Sequence, residues 1–322
     1  MPSLSLRPFL SSIIDYAGLF PPASYSLDAA MSTYAAHQKS DQSWLLGRFI
    51  LPAKQLPPFI KNLLKRNDSK DGTLAWPLSL IVHTPSPHLI AALKRYPAHT
   101  CLSVAALEFT PQPPDAIASV TTQLPPGIET FFEIPLHPKE FHQTLENYLP
   151  LLRVHRAAAK VRTGGLTPDS FPTTTTLANF IAACHQEKVP FKATAGLHHP
   201  FYSQQRLPGA ELVNMHGYFN IAIAAALTWQ YNLTAAEIIP LLEITSLKGF
   251  RPWLEAVIPT EFWSDLCRAR QQFFRGFGSC SFTEPLSGLS ELSFIHQYAQ
   301  TQASPPDLIG LPAQEVNDDI PA

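Results

Sequence analysis

Ala157-Ala-Ala-Lys-Val-Arg162 and, 32 residues further on, Val189-Pro-Phe-Lys-Ala-Thr194 decide the fold of this chain. Each is a short apolar run interrupted by one lysine. A strand buried on both faces reads this way, because helices cover both sides of a parallel sheet. One helix-sized segment lies between them. Pro172 and the run Thr173–Thr176 open it, Leu177, Phe180, Ile181 and Cys184 give it an apolar stripe, and Lys188-Val-Pro190 closes it. Strand, helix, strand at this spacing predicts a parallel βα unit.

The pattern extends in both directions. Ser12–Leu19, Trp44–Pro52, Leu78–His83, Val104–Phe109, Thr130–Ile134 and Gly276–Phe282 are further strand candidates, which makes eight. The four middle strands start 26, 27 and 32 residues apart. Eight βα units predict an α/β fold, a closed (β/α)8 barrel of the TIM type, spanning residues 1–299. No Gly-x-Gly-x-x-Gly follows any strand, which argues against a dinucleotide-binding doubly wound sheet. Residues 200–272, between the seventh and eighth strands, read as almost wholly helical, in the pieces His216–Tyr231, Thr234–Ile244, Arg251–Val257 and Thr260–Phe274. They are expected to form a helical insertion that acts as a lid or an interface. Residues 300–322 are polar and aperiodic and are expected to be a loose tail.

The composition narrows the function classes. Of 322 residues 45% are hydrophobic and only 15% charged, which predicts a large buried core. The 23 basic and 25 acidic residues nearly cancel, and no basic block exceeds Lys65-Arg66, so no nucleic-acid partner is expected. The four cysteines, Cys101, Cys184, Cys267 and Cys280, form no Cys-x-x-Cys and no disulfide framework, which fits a reducing compartment. Neither a signal peptide nor a membrane-length apolar run is apparent, so a cytoplasmic protein without a membrane partner is expected. The 32 prolines occur singly and in pairs between apolar runs, as loop punctuation.

In a barrel the active site forms at the C-terminal ends of the strands. Asp15, Arg48, His83, Glu108, Glu133, Lys160, Arg162 and Lys192 interrupt the ends of apolar runs. A charge inside a buried strand is costly unless paired. Several aimed into one mouth mark either an active site or a charge network bracing the barrel. Lys160 and Arg162 are two apart and share a strand face, as do Lys192 and Thr194. A cation beside a lysine favours the neutral amine, the form that attacks carbonyls. Glu108 and Glu133 are candidates to offset charge and to move protons.

Arg162, Asp15, Thr194, His198, His216 and Asn220 are candidate substrate contacts. His216 and Asn220, at i and i+4, are expected on one helix face. Gly164, Gly165, Gly196, Gly278 and Ser279 end strands six to eight and are candidate phosphate or carboxylate contacts. Asp15, Glu108, Glu133, His198 and His216 supply the alternative of a metal-dependent hydrolase or isomerase. No metal and no cofactor are expected in the favoured reading.

Lys160-Val-Arg-Thr-Gly164, followed by Phe191-Lys-Ala-Thr-Ala-Gly196, resembles the class I aldolases of the deoxyribose-phosphate aldolase type. Those carry Lys-Thr-Ser-Thr-Gly on strand six and Lys-x-x-Gly-Gly on strand seven. The resemblance implies a TIM barrel with Lys160 as the Schiff-base lysine and Lys192 as the second lysine that depresses its pKa. It implies Glu133 as the strand-five Glu, and Glu108 at the strand-four catalytic acid, one methylene longer than the family's Asp. Arg275-Gly-Phe-Gly278-Ser279 looks like the family's strand-eight phosphate loop. The likeness covers residues 100–200 and 275–285. Val161 and Arg162 stand in place of Thr and Ser, and strand seven lacks the second Gly. The segments Ile14–Pro22, Phe191–Pro200 and Phe277–Pro285 also look like signatures of uncharacterised bacterial proteins and imply no activity.

These residues together predict a lyase that forms a Schiff base on a small, anionic carbonyl compound, in a chain able to form a homo-oligomer. The remaining alternative is a non-catalytic barrel that binds a small anion or a protein partner.

Overall fold

A computed structural model describes residues 6–66, 75–95, 102–136, 140–207, 212–250 and 260–288. Eight parallel strands close into a barrel. In sequence they are β1 (Ile14–Tyr16), β2 (Leu46–Pro52), β3 (Trp76–Val82), β4 (Leu102–Phe109), β5 (Glu129–Glu133), β6 (Ala158–Arg162), β7 (Phe191–Thr194) and β10 (Phe274–Ser279). Around the barrel each strand neighbours the next, and β10 closes the ring between β7 and β1. All eight expected strands are present. β1 is shorter than its apolar run because the chain turns after Ala17, with the Phe20 N–H donating to the Ala17 carbonyl at 2.9 Å. β10 starts and ends earlier than expected, since Thr283–Ser287 folds into a short helix.

The main core lies outside the barrel, where the outward faces of the strands meet the helices. Phe49, Phe109, Phe132, Phe191 and Phe277 are fully buried there. A separate apolar cluster of Ala106, Phe131 and Ala158 fills the barrel interior.

Two turns of the same design deliver β6 and β7. Helices α1 (Leu6–Leu10), α2 (Leu27–Gln38), α3 (Leu56–Leu63), α4 (Pro87–Arg95) and α5 (Ala116–Thr121) come earlier in the chain, and α6 (Phe141–Val154) and α7 (Thr174–Gln186) precede β6 and β7. After α6, Arg156 takes φ 51° and after α7 Lys188 takes φ 55°, both left-handed. In the first, Ala157 N–H donates to Leu152 O and Arg156 N–H to Arg153 O; in the second, Val189 N–H donates to Cys184 O and Lys188 N–H to His185 O. Both are Schellman caps. Lys160 and Lys192 each lie four residues beyond the left-handed residue, and the register pairs them directly. At its other end α7 is capped by Thr173, whose Oγ1 accepts from Thr176 N–H at 3.1 Å, as the threonine run suggests.

The region between β7 and β10 corrects the sequence reading twice. It opens with an antiparallel hairpin of β8 (Ser203–Arg206) and β9 (Leu212–Met215). Val213 and Met215 alternate inward against Leu207 and Phe171. Four residues per strand are too few for that alternation to show in the sequence, though Pro208-Gly209 is a turn signal. The next helix, α8 (Tyr218–Tyr231), is buried along its whole length from Tyr218 to Thr228. It packs on β10, on Ala235–Leu242 and on the long helix Thr260–Phe273. A helix apolar on every side belongs to a core, so α8 is part of the barrel wall and not a lid. The expected helix at Arg251–Val257 and the tail at 300–322 lie outside the described residues.

A left-handed backbone costs an L-residue about 1–2 kcal/mol and costs glycine little. Lys188→Val is therefore expected to unfold at lower denaturant than Lys188→Gly, by about 1–2 kcal/mol. Equal midpoints in urea titration would place residue 188 outside the left-handed region.

Candidate active site

Side chains alternate along a strand, so every second residue points into the barrel. The register sets Glu133 beside Lys160 and Lys160 beside Lys192. Glu108 comes from β4 and Asp15 from β1. All five are buried, and they meet in the C-terminal half of the barrel.

Glu108 is the hub. Its Oε1 accepts from Lys192 Nζ at 2.6 Å and from Ser79 Oγ at 2.7 Å. Its Oε2 stands 3.2 Å from Lys160 Nζ. Burial raises the Glu108 carboxyl, but the charges of Lys192 and Lys160 and the hydrogen bonds from Lys192 and Ser79 overcome this and hold it down at about 2. Lys192 also donates to Asp15 Oδ2 at 2.6 Å. Burial disfavours its ammonium, yet Asp15 and Glu108 reverse the balance and raise its pKa. Lys192 is thus a fixed cation. Asp15 is spent on both oxygens, since Oδ1 accepts the Arg48 N–H at 2.7 Å. That bond ties β1 to β2.

Lys160 is held differently. Its Nζ lies 3.1 Å from Glu133 Oε2 and 3.2 Å from Glu108 Oε2. Neither oxygen receives a hydrogen bond among the described residues. These are ion-pair distances without hydrogen-bond direction. Glu133 Oε1 accepts from Arg162 Nε at 3.2 Å. Arg162 ends β6, and its side chain is 49% exposed against 3% for Lys160. The arginine therefore stands at the opening and the lysine beneath it.

A second charged layer closes the N-terminal end of the barrel. Glu129 accepts from Arg48 Nη2 at 2.6 Å and faces Arg275 Nε at 3.1 Å. Phe131 separates the layers, with Lys192 Nζ 5.1 Å and Arg48 Cζ 5.8 Å from its ring centre.

Comparison with known proteins finds no matching family model, no matching curated protein and no matching solved structure.

Of the residues singled out in the sequence, Asp15, Glu108, Glu133, Lys160, Arg162 and Lys192 converge. Thr194 sits beside Arg162 in register. His198 is at the rim, its Nδ1 2.7 Å from Glu284 Oε2. His216 and Asn220 do not join them. Helix α8 begins at Tyr218 after the cap Gly217, so His216 precedes it and the expected shared helix face does not exist. His216 Nε2 bonds Pro172 O at 2.8 Å. Asn220 is a buried staple, accepting from Tyr202 N–H and donating to Leu241 O and Ile244 O.

The glycine positions are met by protein atoms. A Cβ on Gly164 would lie 2.7 Å from Gly196 Cα, one on Gly165 2.6 Å from Ser170, and one on Gly278 2.9 Å from Ile50. Close chain packing accounts for glycine there. Ser279 Oγ donates to Ser281 O within its own turn. Among the described residues no group of three or more His, Cys, Asp or Glu side chains is placed to hold a metal ion. No helix among them is long and apolar enough to cross a membrane.

Ser79 and Glu129 escaped the sequence reading. Ser79 had a signal, a lone hydroxyl between Leu78 and Leu80 in an otherwise apolar strand. Glu129 had none, because it follows directly on a turn.

A carboxyl held down in the folded state stabilises it above its unfolded pKa, and that stability is lost as pH falls towards the folded value. Wild-type stability is expected to drop between about pH 4.5 and about pH 2. Glu108→Gln leaves two buried lysines one charge short and should cost about 3–5 kcal/mol at pH 7. The gap from wild type should narrow below about pH 4.5. Urea titrations across pH test this, and a pH-independent gap would show that Glu108 is not ionised in the fold.

Proposed function

We propose that the protein is a cytoplasmic lyase, working without a cofactor, that uses Lys160 as a Schiff-base nucleophile on a small carbonyl compound. The observation that carries this reading is the unequal holding of the two lysines. Lys192 is fixed by two hydrogen bonds of 2.6 Å. Lys160 rests between two carboxylate oxygens without a directed bond to either. A bracing role therefore suits Lys192, and a reactive one suits Lys160. The barrel fold, with this cluster at the C-terminal half of its strands, is compatible with an enzyme.

The chemistry follows from the neighbours. Lys160 must give up a proton before its lone pair can attack, and Glu133 Oε2, 3.1 Å from Nζ, is the base within reach. Nζ then bonds to the carbonyl carbon and the carbonyl oxygen takes the released proton. The nitrogen gives a second proton to that oxygen, which departs as water and leaves the iminium. The iminium accepts the electron pair when the neighbouring carbon–carbon bond breaks, and Glu133 returns the proton. Lys192 keeps Glu108 ionised, so Glu108 offsets the charge of the iminium and leaves proton transfer to Glu133. The likeness of Lys160-Val-Arg-Thr-Gly164 and Phe191–Gly196 to the aldolase motifs supports the same assignment.

Incubation with small aldehydes or keto acids plus borohydride should add mass to the peptide containing Lys160. Lys160→Met should abolish the adduct and leave the circular dichroism spectrum unchanged. Labelling at Lys192 would reverse the roles of the two lysines. No adduct with any carbonyl would reduce the cluster to a brace.

A further inference from the structure

Lys160 and Arg162 stand on opposite oxygens of one carboxylate. Nζ is 3.1 Å from Glu133 Oε2, and Arg162 Nε is 3.2 Å from Oε1. The reactive amine and the guanidinium are thus one carboxylate's width apart on the same strand face. Only Nε of Arg162 is engaged. Its two Nη groups make no hydrogen bond to a described residue, and half of the side chain is exposed at the opening. A guanidinium edge of this kind matches a planar carboxylate through two parallel N–H···O bonds.

Resting on the Schiff-base reading of Lys160, we infer that the substrate is a 2-oxo acid whose carboxylate is taken by the Nη groups of Arg162. In a 2-oxo acid the carboxylate is bonded directly to the carbonyl carbon. A carbonyl carbon at Lys160 Nζ therefore keeps the carboxylate within two bonds of Nζ, on the side where Arg162 shares Glu133 with the lysine. A phosphorylated aldehyde carries its anion several bonds further away. At Gly164, Gly165 and Gly278 the side-chain direction is taken up by Gly196, Ser170 and Ile50, so close packing already explains glycine there.

The step balances within the site. The Lys160 lone pair forms the N–C2 bond, the keto oxygen leaves as water with two protons, and the carboxylate keeps its charge on Arg162. Glu133 serves both cations in turn. It takes the ammonium proton through Oε2 and orients Arg162 through Oε1.

The test uses the full chain with pyruvate and, separately, acetaldehyde, each with cyanoborohydride, and reads the adduct on the Lys160 peptide by mass spectrometry. In wild type pyruvate should label faster than acetaldehyde. Arg162→Met should lower the ratio of pyruvate to acetaldehyde labelling by about ten- to a hundredfold, the worth of a charge-assisted hydrogen-bond pair. Arg162→Lys should recover part of the ratio. An unchanged ratio in Arg162→Met, or equal loss of both labels, would overturn the inference and leave the Schiff base standing. No label from either probe in wild type would remove the Schiff-base reading, and the inference with it.

Discussion

One buried carboxylate, Glu108, holds the interior of the barrel together. It lies between two lysines that face each other across β6 and β7, and without it their charges would repel in a space with little water. Burying an isolated charge in an apolar interior is prohibitive, whereas a balanced cluster is tolerable. Asp15 and Glu133 complete the balance, one for each lysine. Ser79 fixes the orientation of Glu108, and the backbone of Arg48 fixes that of Asp15. The strands can therefore carry charge inward only because each charge arrives opposite its partner.

That arrival is arranged by backbone geometry well away from the cluster. The caps after α6 and α7 repeat the same hydrogen bonds and the same left-handed residue, so β6 and β7 enter the sheet in step. Lys160 and Lys192 then fall at equal depth. A change of one residue in either turn would send one lysine to the outer face of its strand, against the helices. The placement of both lysines at the mouth thus depends on two helix ends at the other rim.

Much of this was legible in the sequence. Nearly continuous apolar runs marked all eight strands, and the charges within those runs marked Asp15, Glu108, Glu133, Lys160, Arg162 and Lys192. A costly residue in a cheap context is a strong signal. The hairpin at Ser203–Met215 was not legible, because its inward residues are only Val213 and Met215 and its first strand is polar. Helix α8 was legible as a helix but not as core. The run Ile221–Leu227 is apolar on every side, and this fitted a buried wall better than a lid. His216 and Asn220 misled because polar residues in apolar surroundings also arise as structural staples. Asn220, with three backbone partners, is one. Nothing in the order of residues distinguishes a staple from a ligand.

The Phe131 ring, set between the Lys192 ammonium and the Arg48 guanidinium, gives the barrel a floor. With Ala106 and Ala158 it forms a dry layer across the interior. Charge is present above and below, but the two levels share no side-chain ion pair among the described residues. Among the described residues, Lys160 therefore has an apolar layer on one side and the half-exposed Arg162 on the other. The aromatic face keeps two sets of charges inside one barrel without joining them into a single network.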